Sequence, residues 1–67
     1  MLKIEIDREL DGRWIAEVPS VPGVLVYGLD EADARAKATA LALRVLADRI
    51  EHGEPLPEGL AALFQAA

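Results

Sequence analysis

Residues 11–28 read Asp-Gly-Arg-Trp-Ile-Ala-Glu-Val-Pro-Ser-Val-Pro-Gly-Val-Leu-Val-Tyr-Gly. Asp11-Gly12 is typical of a hairpin turn, because both residue types tolerate a positive φ. The segment after it, residues 13–18, alternates, so that Trp14, Ala16 and Val18 point away from Ile15 and Glu17. Because a half-buried strand has this period of two, the segment predicts a strand that starts at the turn.

A proline-containing loop and a further strand follow. Residues 19–23 cannot continue a central strand, since each proline lacks the amide that a ladder needs. Pro22-Gly23 fits the middle of a type II turn, where proline fixes φ and glycine takes the positive-φ position. Residues 24–27 are apolar and rich in valine, and predict a strand that ends at Gly28.

The segment before the first turn alternates in the same way. Leu2, Ile4 and Ile6 point one way, while Lys3, Glu5 and Asp7 point the other. Residues 2–8 therefore predict a first strand. Together the three segments predict a three-stranded antiparallel meander.

A long helix is predicted after Asp30. Asp30 is a suitable N-cap, and Asp33 approximates the partner residue of a capping box. No glycine or proline occurs from Glu31 to about Glu51, and Gly53 is a suitable C-terminal stop. Three pairs four residues apart carry opposite charges, namely Glu31/Arg35, Asp33/Lys37 and Arg44/Asp48.

Two apolar stripes run along this helix. One consists of Ala34, Ala38, Leu41, Ala42, Val45 and Leu46, and is expected to lie on the sheet. The other, on nearly the opposite side, consists of Ala32, Ala36, Ala40, Leu43, Ala47 and Ile50. The second stripe is either Ala-rich compositional drift or a surface that meets another chain. Leu43 and Ile50 favour self-association, with Ala36, Ala40, Leu43, Ala47 and Ile50 as the oligomer interface.

The expected fold is a single α+β domain over residues 1–67. Residues 54–59 are turn-forming, and residues 60–65 predict either a short terminal helix or a fourth, edge strand.

Composition limits the function classes. The chain has 67 residues, a net charge of −5 and no cysteine. A lone monomer of this size is expected to be only marginally stable, and we expect oligomerisation to add the missing stability. Twelve acidic against seven basic residues make a nucleic-acid-binding face improbable and favour a basic protein partner. With a charged N-terminus and no run of about 20 apolar residues, we expect a cytoplasmic protein without membrane contact.

Groups for catalysis are scarce. A Ser–His–acid arrangement needs Ser20 to meet His52 at the far end of the helix. The simpler interpretation is that His52 is a helix C-terminal residue whose charged form interacts favourably with the negative end of the helix dipole. A metal-dependent nuclease needs converging carboxylates, whereas Glu5, Asp7 and Glu9 alternate along one strand face. We therefore expect no enzyme, no cofactor and no metal site.

Trp14 and Tyr27 are the large amphipathic aromatic residues of the chain. They are either half-core packing or anchors for a protein partner.

Residues 11–23, then Gly28, Asp30 and Asp33-Ala34, resemble the HicB-like antitoxin family. The specific part of the resemblance is the run Ala16-Glu-Val-Pro-Ser-Val-Pro-Gly23, and the match covers residues 3–57. Trp14 stands where Tyr or Phe is usual, and Ala32 replaces the first Glu of an E-E-A pattern.

The resemblance implies a partial ribonuclease H-like fold, β-β-β-α-β, without catalytic carboxylates. It also implies a bacterial antitoxin that binds a small basic HicA-type toxin, an mRNA-cleaving protein, and masks its active site. Family members often carry an additional C-terminal DNA-binding domain, and only eight residues follow Gly59 here, so no direct nucleic-acid binding is expected.

The residues expected to contact the partner are Trp14, Glu17 and Tyr27. The alternative to a toxin–antitoxin function is an orphan oligomeric interaction domain of the same fold.

Overall fold

A computed structural model describes residues 2–57 and 59–60. Along the chain it contains β1 (Glu5–Arg8), β2 (Trp14–Glu17), β3 (Leu25–Gly28) and α1 (Glu31–Glu51). The strands form an antiparallel sheet in the order β1-β2-β3, and α1 packs against it. The α+β prediction is confirmed, whereas the choice between a helix and a fourth strand at residues 60–65 falls largely outside the described residues.

The turn between β1 and β2 has one residue with positive φ, Gly12, and not two as the Asp-Gly pair suggested. The backbone N–H of Gly12 donates to the carbonyl of Glu9 at 3.0 Å, and Gly12 has a φ of 92°. Asp11 does not have a positive φ, since the described residues with positive φ are all glycines. Its carboxylate instead accepts hydrogen bonds from the Arg13 backbone N–H at 3.0 Å and from the Arg13 Nε at 2.7 Å.

The loop between β2 and β3 consists of two consecutive turns. Val21 N–H donates to the carbonyl of Val18 at 3.0 Å, and Val24 N–H donates to the carbonyl of Val21 at 3.2 Å. Gly23, with a φ of 90°, occupies the third position of the second turn, as the type II prediction requires. These bonds direct Val21 inward, and it is one of the largest fully buried side chains.

Valines from the sheet and its loop, together with alanines from the helix, form the core. Ala34, Ala38, Ala42 and Leu46 are buried, and Leu41 and Val45 pack against them, so the first apolar stripe lies on the sheet as predicted. Ala16, Val18, Val21, Val24 and Leu60 complete the buried cluster. Leu2, Ile4 and Ile6 also pack against the core, although residues 2–4 are outside β1.

Gly28 lets the helix start directly against the end of β3. A Cβ atom at this position would lie 2.4 Å from the backbone nitrogen of Ala34 and 2.6 Å from its Cα. Because both atoms belong to the backbone, neither can rotate away. Only glycine permits this approach.

The helix begins and ends at the predicted residues. The Asp30 carboxylate accepts from the Asp33 N–H at 2.7 Å, whereas the Asp33 carboxylate accepts from the Leu29 N–H at 2.9 Å, one residue before the expected capping-box donor. At the other end, the Glu54 N–H donates to the carbonyl of Arg49 at 2.8 Å. This bond closes a Schellman motif around Gly53, whose φ is 74°.

One of the three predicted helical ion pairs is present. Lys37 Nζ lies 3.0 Å from Asp33 Oδ2. Neither Glu31/Arg35 nor Arg44/Asp48 forms an ion pair in the described part of the chain. Asp48 lies against His52 instead, with a 3.4 Å separation between His52 Nδ1 and Asp48 Oδ1. Exposed pairs of this kind contribute little to stability in any case.

Candidate protein-binding surfaces

The sheet has one face that no described element covers. We call it the outer sheet face, and it consists of Glu5, Asp7, Ile15, Glu17, Leu25 and Tyr27. The strand register arranges these residues in two rows, Glu5–Glu17–Leu25 and Asp7–Ile15–Tyr27. Helix α1 lies on the opposite face, where the buried core residues are.

One half of the outer sheet face is acidic. Glu5 and Glu17 are directly opposite on neighbouring strands, and Asp7 follows Glu5 on the same side of β1. None of these three carboxylates forms an ion pair with any described residue. Like charges in direct opposition destabilise a strand pair. A cationic group that binds here therefore relieves a repulsion that the isolated domain retains.

The other half is apolar and aromatic. Leu25 is 48% exposed and Tyr27 is 43% exposed. The Arg13 guanidinium lies 4.3 Å from the centroid of the Tyr27 ring, which is a cation–π contact. Acidic and apolar halves side by side suit a partner segment that carries both basic and apolar residues.

A depression of about 470 Å³ lies over the acidic half, and it is lined by Glu5, Ile6, Asp7, Ile15 and Glu17.

Trp14 is on the other side of the sheet from Glu17 and Tyr27. It is half-buried and packs against the core, with the Arg8 guanidinium 5.7 Å from the centroid of its ring. The three residues predicted to contact a partner therefore do not share one surface. Glu17 and Tyr27 are together on the outer sheet face, and Trp14 is a packing residue of the inner face.

The second apolar stripe of the helix is also exposed. We call its residues the outer helix stripe (Ala32, Ala36, Ala40, Leu43, Ala47 and Ile50). Leu43 is 63% exposed and Ile50 is 55% exposed, both large values for aliphatic side chains. A broad depression of about 830 Å³ runs beside Ala32, Ala36, Ala40 and Leu43. The residues of the predicted oligomer interface are accordingly exposed, and Asp30, Glu31, Arg35 and Thr39 also line the depression beside them.

The residues considered for catalysis are placed apart. Ser20 is exposed in the loop before β3, and His52 is exposed at the C-terminus of α1, with its Nδ1 2.7 Å from the backbone carbonyl of Asp48. Within residues 2–57 and 59–60, no three His, Cys, Asp or Glu side chains are close enough together to hold a metal ion. In the same residues, no helix combines the length and the apolarity that crossing a bilayer requires.

Two carboxylates have a lowered pKa, and both are structural. The backbone N–H of Arg13, together with its guanidinium, lowers the pKa of Asp11 from its ordinary value of 3.8. The backbone N–H of Leu29 and then the Lys37 ammonium lower the pKa of Asp33 in the same way. Hydrogen bonds that favour the charged form explain both shifts.

Sequence reasoning did not identify Glu5, Asp7, Ile15 and Leu25 as members of a candidate binding surface. The alternation in β1 and β2 already puts Glu5, Asp7, Ile15 and Glu17 on the outer face. The signal that was lacking is the register, because only the pairing of β3 with β2 brings Leu25 beside Glu17 and Tyr27 beside Ile15.

Comparisons of the chain with protein-family models, with curated proteins and with solved structures found no match.

Proposed function

We propose that this chain is an antitoxin-like binding domain that neutralises a small, basic, HicA-type RNA-cleaving toxin by direct contact. The observation that carries the proposal is the outer sheet face, where Glu5, Asp7 and Glu17 lie beside Ile15, Leu25 and Tyr27 without a covering element in the described residues. The resemblance of residues 11–23 to HicB-like antitoxins names the class of partner.

Charge supports this pairing. The chain has a net charge of −5, and a protein that binds RNA presents basic groups on its surface. An acidic inhibitor is attracted to that surface, and this attraction increases the rate of association. Once bound, the inhibitor occupies the surface that the RNA backbone needs.

The experiment mixes the full chain with purified HicA-type toxins, including any toxin encoded next to its gene, and measures RNA cleavage and complex formation. We expect a stable complex and a loss of cleavage. If every such toxin continues to cleave RNA and none forms a complex, the antitoxin function is wrong.

Charge reversal locates the surface. Glu5→Lys with Glu17→Lys should weaken the complex at least tenfold and make its affinity less dependent on salt. The matched control is Glu51→Lys with Glu54→Lys, which changes the net charge equally at exposed positions away from the sheet. If both pairs weaken binding equally, the attraction depends only on net charge, and the outer sheet face is not the binding surface.

A second candidate function, an oligomeric interaction domain without a toxin, rests on the exposure of Leu43 and Ile50. A small domain with an apolar helix surface gains stability when a second copy covers it. We expect Leu43→Glu with Ile50→Glu to reduce the oligomer size in light scattering and to lower the midpoint of urea unfolding. An unchanged assembly would show that the outer helix stripe is not an interface.

A further inference from the structure

The two outer strands of the sheet differ in how their free edges are protected. On β1 the Arg8 N–H donates to the Asp7 carboxylate at 3.0 Å, so this strand engages one of its backbone donors with its own side chain. Three of its four residues, Glu5, Asp7 and Arg8, are charged. Charged side chains and occupied donors on an edge strand discourage the addition of another strand.

The edge of β3 has none of these protections. Residues 24–28 contain no acidic or basic side chain and no proline. In the described part of the chain, β3 pairs only with β2. One end of this edge is occupied, because the Leu29 N–H, directly after β3, donates to the Asp33 carboxylate. The open edge of β3 is therefore short and ends at Leu29.

The ladder shows which backbone groups face outward. The Val18 N–H donates to the carbonyl of Val24 at 3.1 Å, which makes this a hydrogen-bonded pair. Hydrogen-bonded and non-hydrogen-bonded pairs alternate along antiparallel strands, so the next hydrogen-bonded pair is Ala16 with Val26. The N–H and C=O groups of Leu25 and Tyr27 consequently point away from β2.

We propose that the free edge of β3 binds the same edge of a second copy of this chain, antiparallel, with Val26 at the two-fold axis. In this register Leu25 faces the partner's Tyr27, and each such pair exchanges two backbone hydrogen bonds. The two pairs use all four outward groups of each strand. The result is a continuous six-stranded sheet.

Side-chain chemistry identifies a second copy as the occupant. Leu25 and Tyr27 lie on the same face, so the pairing creates two symmetric aliphatic–aromatic contacts between strands. The acidic residues Glu5, Asp7 and Glu17 remain on β1 and β2, away from the axis. A pairing through β1 would instead bring Glu5 and Asp7 of both copies together, which like charges oppose.

The experiment measures the mass of the full chain by sedimentation and amide hydrogen exchange by NMR. We expect a particle of twice 7.2 kDa or a multiple of it, with protected Leu25 and Tyr27 amides. Leu25→Pro removes an outward N–H and the side chain that faces the partner's Tyr27, but no hydrogen bond to β2, so it should halve the mass while the helical circular dichroism signal is retained. Leu43→Glu with Ile50→Glu, which alters the outer helix stripe, should leave the protection of the Leu25 and Tyr27 amides unchanged.

A charge swap tests the register itself. Leu25→Glu with Tyr27→Glu puts carboxylates opposite each other across the axis and should give monomers. Leu25→Lys with Tyr27→Glu puts an ammonium opposite each carboxylate and should restore the dimer. If the wild-type chain is monomeric, if the Leu25 and Tyr27 amides exchange freely, or if both charge variants assemble alike, the proposal is wrong. None of these readouts depends on a toxin.

Discussion

Gly28 shows how one missing side chain fixes the distance between the helix and the sheet. An added Cβ would meet two backbone atoms of Ala34 at 2.4 and 2.6 Å. Gly28→Ala should therefore lower the free energy of unfolding by about 1–3 kcal/mol, as overpacking usually does, measured by urea denaturation.

A second variant identifies the cause. Ala34→Gly removes only the Cβ of Ala34 and leaves the two backbone atoms in place, so it should not rescue Gly28→Ala. If it does rescue the loss, the clash lies between side chains, and the close backbone approach is not the reason for the glycine.

Val21 is the residue whose importance is hardest to see in the sequence. It stands between two prolines in a connecting loop, yet it is only 1% exposed. Val21→Ala should lower the free energy of unfolding by about 2 kcal/mol, since it removes two buried methyl groups and leaves a small cavity. Thermal unfolding with Val26→Ala as the half-buried control tests this; equal losses at both sites would contradict the prediction.

Sequence reasoning predicted the conformations of the turn residues but not the packing of Gly28 and Val21. Pro22-Gly23 and Gly53 act through their own backbone preferences, which are local, and both were predicted correctly. The burial of Val21 and the contact between Gly28 and Ala34 depend on how the helix lies over the sheet. No local pattern contains that information.

At the scale of elements, Asp33 connects the helix start to the end of β3. Its carboxylate accepts from the Leu29 N–H and pairs with Lys37, and both interactions favour the charged form. The pKa of Asp33 is lowered on folding, so its contribution to stability is present above pH 3.8 and is lost as the pH falls through the lower, folded-state pKa.

Asp33→Asn should consequently reduce stability at neutral pH and make the unfolding midpoint less dependent on pH below 3.8. Urea denaturation at a series of pH values measures both effects. Glu51→Gln removes a carboxylate from the same helix and serves as the control. A pH profile of Asp33→Asn that parallels the wild type would contradict this role.

The helix and the strands were the features that the sequence predicted most accurately. The bounds of α1 agree with the sequence expectation because a cap, a glycine stop and an uninterrupted run of helix-forming residues all coincide. Strand ends were less accurate: residues 2–4 keep the alternation, with Leu2 and Ile4 half-buried and Lys3 exposed, but lie outside β1. Alternation reports which face is buried, whereas strand membership requires a paired neighbour, and the sequence does not show where pairing stops.

At the scale of the whole molecule, there are two separate candidate binding surfaces, one on the sheet and one on the helix. Composition indicates an acidic chain for which oligomerisation is expected, and the structure has two exposed surfaces with apolar side chains, the outer sheet face and the outer helix stripe. Sequence reasoning found the helix surface because all its residues belong to one helix. It did not assemble the sheet surface, which takes residues from three strands and needs the register.

The order of the strands has a consequence for kinetics. Each strand pairs with the strand next to it in the chain, and α1 directly follows the strand that it contacts most. Loops that close over short distances lose little entropy, so such a topology folds rapidly, on the order of milliseconds or less. The fluorescence of Trp14, the single tryptophan, can follow refolding by stopped flow after an unfolding pulse too brief for proline isomerisation. A dominant phase lasting seconds under these conditions would mean that a rate-limiting step other than sequential strand addition controls how this chain reaches its native state.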